Sequence, residues 1–313
     1  SSQHAHYGQL VRVWPGRLDT SQAVRSAELR VQADRITSSL LVKLGEADLG
    51  WLAADRAMSA AGDDPILAAT AAISVAQALR ASNRDRLALT AALTAANRLL
   101  LAPVCPADHE VGGVRGDQIA RQPHDQRGEG EGEGEGEGED EGAPARQRPP
   151  GEWAVGGTLL LQAALAAAGC GEHRQADELT ERAAGIAASL RGYDDPHRTS
   201  FGATVVEVTR VLVAAQRGDA DEALRRHSTV MRREGWRRLP AEYRGAYLVD
   251  VARAYLQVGD LRGAARALVD ADSVAPAEVR CRPLARTVIA DVARARPAPA
   301  GVARLATVVG LTR

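Results

Sequence analysis

The chain has 313 residues and a formal net charge of -1, and only 3% of its residues are aromatic. So few aromatic side chains exclude a core built around bulky rings, and the abundant alanine predicts helices that pack closely through small side chains. The three cysteines, Cys105, Cys170 and Cys281, are far apart and form no CxxC pair, which excludes a disulfide framework and a structural zinc site. We predict no metal and no cofactor.

The first predicted region, residues 1–33, is an irregular lead-in in which Pro15 breaks any early helix. Its opening, SSQHAHYGQL, has no basic stretch followed by an apolar core, so it does not look like a signal peptide. In residues 34–102, apolar side chains recur at helical spacing around two turns, Leu44-Gly45-Glu46 and Ser82-Asn83-Arg84. This region is predicted to be the first section of a helical-repeat fold.

Residues 103–150 interrupt the pattern with an alternating Gly-Glu tract that runs from Glu129 to Glu141. The tract carries eight carboxylates and leaves 32 acidic groups against 39 basic ones elsewhere, so the remainder is mildly basic. Glycine has no side chain to bury and like charges repel, which predicts a disordered insertion rather than a strand. Because the tract has no lysine, it is not a phosphate-binding loop. It is either an acidic mimic of nucleic acid or a low-complexity repeat that arises by replication slippage and has no function.

Helical periodicity resumes in residues 151–313, around the turns Cys170-Gly171-Glu172, Arg217-Gly218-Asp219 and Val258-Gly259-Asp260. The segment YLVDVARAYLQVGDLRGAARALVDAD (247–272) has two amphipathic halves of similar length on either side of its Gly-Asp break. Two such helices form an antiparallel hairpin, and stacked hairpins form an α-solenoid. We predict an all-α, tetratricopeptide-like α-solenoid of about five helical hairpins, in two sections that flank a disordered acidic insertion.

Two Asp-Pro pairs mark predicted helix starts, Asp64-Pro65 and Asp195-Pro196. A carboxylate at the N-cap accepts hydrogen bonds from free backbone N–H groups, and proline suits the first helical position. The neighbouring Asp63 and Asp194 also permit an acidic metal or catalytic site, but both pairs lie where a helix is expected to begin. Capping is therefore the preferred interpretation.

Motifs for catalysis and for membrane insertion are absent from the sequence. The seven histidines are scattered and form no HExxH motif, and no serine lies in a GxSxG elbow, so we predict that the protein is not an enzyme. The longest apolar run, from Ala154 to Cys170, is interrupted by Gln162 and is too short to span a bilayer. We predict a cytoplasmic protein with no membrane association.

The densest positive charge forms a basic patch around Trp236. Six guanidinium groups within fourteen residues can bind phosphates, and the indole can stack on a base. Alternatively, the arginines are a solvated helix face and loop, and Trp236 packs into the next repeat. The patch consists of Arg225, Arg226, Arg232, Arg233, Arg237 and Arg238.

A second candidate site is a ligand groove on the first helices of the last two hairpins. Glu207 and Arg210 share an acid-x-x-Arg spacing with Asp250 and Arg253, shifted by about two residues relative to the following turn. The first helix of each hairpin lines the concave side of such solenoids, where peptides or small effectors bind. The same charges can instead form i,i+3 pairs within each helix. The predicted groove residues are Thr204, Glu207, Arg210, Tyr247, Asp250 and Arg253.

Several stretches together resemble one known family, the tetratricopeptide-containing effector halves of Xre-type helix-turn-helix transcriptional regulators of high-GC Gram-positive bacteria. They occur in the family's order, and Arg210, Asp250 and Arg253 match its pattern, whereas Thr209 stands where the family more often has histidine. The stretches are LVKLGEADLGWLAADRAMSAA (41–61), GGTLLLQAALAAA (156–168), TSFGATVVEVTRV (199–211), LPAEYRGAYLVDVARAYLQVGD (239–260), ALVDADSVAPAEVRCRPLAR (267–286) and GVARLATVVGL (301–311).

The resemblance implies the sensory or protein-interaction region of a transcriptional regulator, which binds a peptide, a small effector or a partner protein in its concave groove. Residues 1–33 are too short for the family's DNA-binding domain, so we expect that domain to be absent and DNA to be reached only through an attached or associated domain. The resemblance is also compatible with a protein that forms a homodimer. The alternative is a standalone scaffold that holds two proteins together and has no link to transcription.

Overall fold

The computed structural model describes residues 20–101, 148–190, 192, 195–295 and 299–311. All regular secondary structure in these ranges is helical, which confirms the predicted all-α class. Besides a 3₁₀ helix at Glu234–Arg238, the helices are α1 (Thr20–Lys43), α2 (Ala47–Ala61), α3 (Pro65–Ala81), α4 (Asp85–Leu101), α5 (Pro150–Gly169), α6 (His173–Ser189), α7 (Ala203–Gln216), α8 (Ala220–Arg232), α9 (Ala241–Gln257), α10 (Leu261–Val274), α11 (Pro276–Cys281), α12 (Pro283–Ala293) and α13 (Ala300–Val308).

One turn geometry recurs between helices. After α1, the N–H of Gly45 donates to the carbonyl of Val42 at 3.1 Å, and the N–H of Glu46 donates to that of Leu41 at 2.9 Å. This is the Schellman pattern, and it needs a left-handed residue, which is glycine or asparagine in each case. All five predicted turns have this form, and a sixth, which was not predicted, follows α13. The left-handed residues are Gly45, Asn83, Gly171, Gly218, Gly259 and Gly310.

Helix packing follows chain order. Helices that are consecutive in sequence pack together, and α1, α3, α5, α7 and α9 each also pack against the next odd-numbered helix. Helix α9 contacts α12 as well. Helix α5 packs against both α3 and α4, although residues 102–149 separate it from them in sequence. The helices on the two sides of the insertion therefore belong to one compact unit.

Close approach through small side chains is clearest at α5. A Cβ atom added to Gly157 would lie 2.2 Å from the ring of Phe201, and one added to Gly156 would lie 2.4 Å from the side chain of Leu100. The rest of the helix is rich in buried alanine and leucine. The neighbours on either side of α5 thus approach its backbone directly, as the alanine-rich composition predicts.

Two predictions about helix starts need correction. Helix α1 begins at Thr20, so residues 20–33, predicted to be irregular, are helical. Asp64 caps α3 by accepting hydrogen bonds from the N–H groups of Ile66 and Leu67, but Asp195 caps no helix. It accepts instead from the N–H groups of Thr199 and Ser200 at 3.0 and 2.6 Å and organises the loop before α7, because an Asp-Pro pair suits such turns as well as it suits helix starts.

The predicted disorder of residues 103–150 concerns a segment that lies almost wholly outside the described residues, as do Cys105 and Asp194. At its end, Pro150 is the first residue of α5. No helix in the described ranges is long and apolar enough to span a bilayer.

Candidate ligand-binding site

The two acid-x-x-Arg pairs differ in their position relative to the turn that follows. Asp250 lies nine residues before Gly259, whereas Glu207 lies eleven residues before Gly218. Each residue turns an α-helix by about 100°, so a shift of two residues rotates a side chain by about 200°. The pair on α7 therefore faces away from the side of the array that the pair on α9 faces.

On α7, the pair belongs to an ion-pair group that we call the Glu207 network. Arg210 donates to Glu207 Oε1 at 2.5 Å and to Glu181 Oε1 of α6 at 2.7 Å. Arg233, directly after α8, lies 3.5 Å from the same Glu207 oxygen. The network thus ties α6, α7 and the end of α8 together, and for this pair the i,i+3 interpretation is the right one.

On α9, the pair belongs to a second group, which we call the Asp250 cluster. Arg80 of α3 donates to Gln162 Oε1 of α5 at 3.0 Å. Asp250 interacts electrostatically with Arg80, Arg253 and Arg282, yet no cation of the described residues forms a direct ion pair with it. Tyr243, two helical turns earlier on the same face of α9, interacts with Arg80 and Asp250. The Asp250 cluster consists of Arg80, Gln162, Tyr243, Asp250, Arg253 and Arg282.

Protein atoms surround the Asp250 cluster, and the titration of its groups reflects this. Burial raises the pKa of Asp250, although Arg253, Arg282 and Arg80 oppose the change. Burial also lowers the pKa of the Arg80 guanidinium, against the pull of Asp85 and Asp250. Asp250 thus loses hydration without forming an ion pair in direct contact, whereas Arg80 has the hydrogen bond to Gln162.

A buried ion pair beside the cluster joins distant parts of the chain. Glu278 of α11 is 5% exposed, and it pairs with Lys43 at the end of α1 at 2.5 Å and with Arg282 at 3.0 Å. The side chain of Pro283 lies against Gly45, where an added Cβ would be 2.8 Å from it. The end of α1 therefore meets the junction of α11 and α12, and Glu278 helps to hold Arg282 in the Asp250 cluster.

Tyr247 and Thr204 lie outside the Asp250 cluster. Tyr247 is 2% exposed, its hydroxyl lies 2.9 Å from Nδ1 of His227, and its ring packs edge-on against Trp236. It lies about 60° around α9 from Asp250, toward α8, which explains its burial in the core. Thr204 is half-buried and lies against Gly235 of the 3₁₀ helix. On α7, the position that corresponds to Asp250 is Thr209, and Thr204 lies on a different face of that helix. Of the six predicted groove residues, Asp250 and Arg253 belong to the Asp250 cluster, and Glu207 and Arg210 belong to the Glu207 network.

Nearby carboxylates neutralise much of the predicted basic patch. Glu222 pairs with both Arg225 and Arg226, Glu207 with Arg233, and Glu234 with Arg238. Arg232 and Arg237 are exposed. Trp236 is 5% exposed and packs against Tyr247, so it is a core residue and offers no stacking surface.

Sequence reasoning missed most of the Asp250 cluster, although one signal was present. Ser74, Gln162, Thr209 and Asp250 each lie nine residues before the left-handed residue of the next turn. The same position on α3, α5, α7 and α9 is thus polar, including the glutamine that interrupts the longest apolar run. Arg80, Lys43, Glu278 and Arg282 carry no comparable signal, because only the tertiary fold brings them together.

No protein-family model matches the chain, and no curated protein matches it. Within the described ranges, no group of three or more histidine, cysteine or acidic side chains could hold a metal ion. Any functional conclusion therefore depends on the geometry of the Asp250 cluster and of the helices that carry it.

Proposed function

We propose that the chain is the sensory or partner-binding region of a transcriptional regulator, built as a tetratricopeptide-like α-solenoid whose odd-numbered helices line the concave side. The observation that carries the proposal is the convergence of charged and polar side chains from α3, α5, α9 and the junction of α11 and α12. These side chains come from hairpins far apart in sequence, as in a receptor groove formed by stacked repeats.

The recurring turn and the order of helix packing support the repeat architecture. Helices α1, α3, α5, α7 and α9 are each joined to the next even-numbered helix by the same Schellman turn, whereas the connections that lead back to the next odd-numbered helix vary in length and form. Among the described residues, the extensive helix contacts join elements that are near one another in the series, and the pair of Lys43 with Glu278 joins the more distant α1 and α11. Nearest-neighbour packing of this kind defines solenoid proteins.

The proposed mechanism is differential binding. A ligand that contacts Arg80 on α3 and Arg253 on α9 together favours the arrangement in which these helices are close. It thereby shifts the population of the array toward that arrangement. An attached or associated DNA-binding domain would respond to the shift. We propose that this takes place in the cytoplasm. A ligand can change this equilibrium only by its difference in affinity for the two arrangements.

The experiment compares two double variants with matched chemistry. Asp250→Ala with Arg253→Ala removes the acid-x-x-Arg pair of the Asp250 cluster, and Glu207→Ala with Arg210→Ala removes the equivalent pair from the other side of the array. Each protein is purified from a high-GC Gram-positive host, and co-purifying molecules are identified by mass spectrometry. We expect one bound molecule or protein to be lost only from the first variant. Its retention in both folded variants would contradict the proposal.

A standalone scaffold is the second candidate, and the first two helices favour it. Their outward faces expose Leu29, Ile36 and Leu40 of α1 and Leu49 and Leu52 of α2, each at least half accessible. Exposed apolar faces of this kind mark protein interaction surfaces. Co-purification of protein partners alone, unaffected by either double variant, would favour the scaffold over the regulator.

A further inference from the structure

Two guanidinium groups of the Asp250 cluster have unused hydrogen-bond donors. The Nε atoms of Arg80 and Arg253 are buried, and neither has a hydrogen-bond partner in the part of the chain that the structure describes. Arg80 uses only Nη1, toward Gln162. A buried donor without a partner costs free energy, and a ligand that accepts a hydrogen bond from it recovers that cost.

The cluster and the adjoining ion pair also carry an excess of positive charge. Lys43, Arg80, Arg253 and Arg282 provide four cations, whereas Asp250 and Glu278 provide two carboxylates. Both Glu278 oxygens are occupied, one by Lys43 and one by Arg282. Asp85, which also interacts with Arg80, still leaves one positive charge in excess. The site is therefore complementary to an anion.

The arrangement of the donors selects the kind of anion. Guanidinium groups are planar and present their N–H donors in a fixed fork that matches the oxygens of a carboxylate or phosphate group. Arg80 on α3 and Arg253 on α9 both interact with Asp250, so an oxyanion that contacts both guanidinium groups would be held by two helices. Asp250, which accepts no direct ion pair, would then accept a hydrogen bond from an ammonium or hydroxyl group on the same ligand.

We propose that the Asp250 cluster binds a small oxyanion, a carboxylate or phosphate group, between Arg80 and Arg253, with Asp250 receiving a donor group next to it on the ligand. This inference rests on the proposed function, because it names the chemistry of the molecule that the regulator senses. The arginines of the cluster are half-buried, so we expect it to bind a small anion rather than an extended polyanion such as DNA.

Binding is tested on the full chain with three probes at constant ionic strength: inorganic phosphate, acetate and glycine. Calorimetric titration of the wild type should show saturable binding of at least one probe. Arg80→Gln and Arg253→Gln each remove one side of the site and should weaken it about tenfold or more, since a hydrogen bond to a charged group is lost. Arg182→Gln, at an exposed arginine of α6 outside the cluster and outside the basic patch, is the matched control and should bind as the wild type does.

The probes distinguish the sources of the oxyanion. Preference for phosphate indicates a phosphorylated metabolite, whereas preference for glycine over acetate indicates a carboxylate beside an ammonium group, as in amino acids. The inference is overturned if no probe saturates the wild type, or if the Arg80 and Arg253 variants bind as tightly as Arg182→Gln. Circular dichroism verifies that each variant folds.

This outcome is separate from that of the proposed function. Oxyanion binding that depends on Arg253 would stand even if no regulatory partner co-purified with the chain. Conversely, a partner lost from the Asp250 and Arg253 double variant would support the regulator even if none of the three probes bound.

Discussion

His227 is a titratable side chain enclosed in an otherwise apolar part of the core. It is 8% exposed, its Nδ1 lies 2.9 Å from the hydroxyl of Tyr247, and the ring of Tyr255 approaches it edge-on. Burial lowers the pKa of His227 from 6.5 to about 4, because the charged imidazolium cannot be hydrated there. This residue therefore links the packing of α8 against α9 to proton concentration.

We predict that acidification destabilises the fold through His227. The pKa is higher in the unfolded chain, so the unfolded state takes up the proton first, and stability is lost as the pH falls from about 6.5 to about 4. The loss attributable to this group is up to about 3 kcal/mol. Urea titrations at several pH values in this range measure it. His227→Gln, which cannot ionise, should show a smaller loss, and an unchanged pH dependence would refute the assignment.

At the scale of single elements, α5 illustrates how the sequence codes for close helix packing. Its glycines are positions of contact with neighbouring elements, because Phe201 and Leu100 occupy the space where their side chains would be. Gly185 of α6 is the opposite case, since it is exposed and an added Cβ there would meet nothing within 4 Å. Glycine thus allows close packing of neighbouring side chains against α5, whereas in α6 it only lowers the stability of the helix.

We therefore predict opposite effects of alanine at these two glycines. Gly157→Ala should destabilise the protein by about 1–3 kcal/mol, because its Cβ overlaps the Phe201 ring. Gly185→Ala should stabilise it by about 0.5–1 kcal/mol, because alanine is the better helix former. Chemical denaturation of the two variants and the wild type decides the matter. Equal effects would mean that α5 and Phe201 are not packed as described.

The sequence predicts features that depend on local signals and misses those that depend on the tertiary fold. All five turn positions were predicted, because a left-handed glycine or asparagine after a periodic apolar segment is a local pattern. Asp195 was misjudged, because its local pattern is shared by helix caps and loop turns. The Asp250 cluster was found only at Asp250 and Arg253, since nothing near Arg80 or Arg282 in sequence indicates that they approach α9. The sequence also shows that Glu207 lies two residues farther from its turn than Asp250 does. That this offset points the two acid-x-x-Arg pairs to opposite sides follows only from the geometry of the α-helix.

For the whole molecule, the contact between α1 and the junction of α11 and α12 connects parts of the chain far apart in sequence. The side chain of Lys43 is 28% exposed and the side chain of Glu278 is 4% exposed, so water only partly screens the attraction between the two charges. Removal of the lysine would leave the buried carboxylate with Arg282 as its remaining cation. The contact thus joins α1 to α11, whereas the extensive contacts elsewhere are between helices that are near one another in the series.

We predict that Lys43→Ala destabilises the protein by about 1–2 kcal/mol, less than for a fully buried pair because the lysine is partly exposed. Hydrogen exchange measured by mass spectrometry should increase in α11 and at the end of α1. Lys43→Arg keeps the charge and should restore most of the protection. Exchange that increases equally in both variants would show that the charge of Lys43 does not hold α11.

Lys43 is also the only lysine in the chain. Reductive methylation would therefore place an isotopic label on one side-chain amine, that of Lys43, besides the N-terminal amine, and a Lys43→Arg sample identifies which NMR signal belongs to Lys43. The resulting NMR signal would report, at one defined atom, the fraction of molecules in which α1 and α11 are in contact. A titration of candidate small molecules followed at that one resonance would show directly which of them changes the closure of the array.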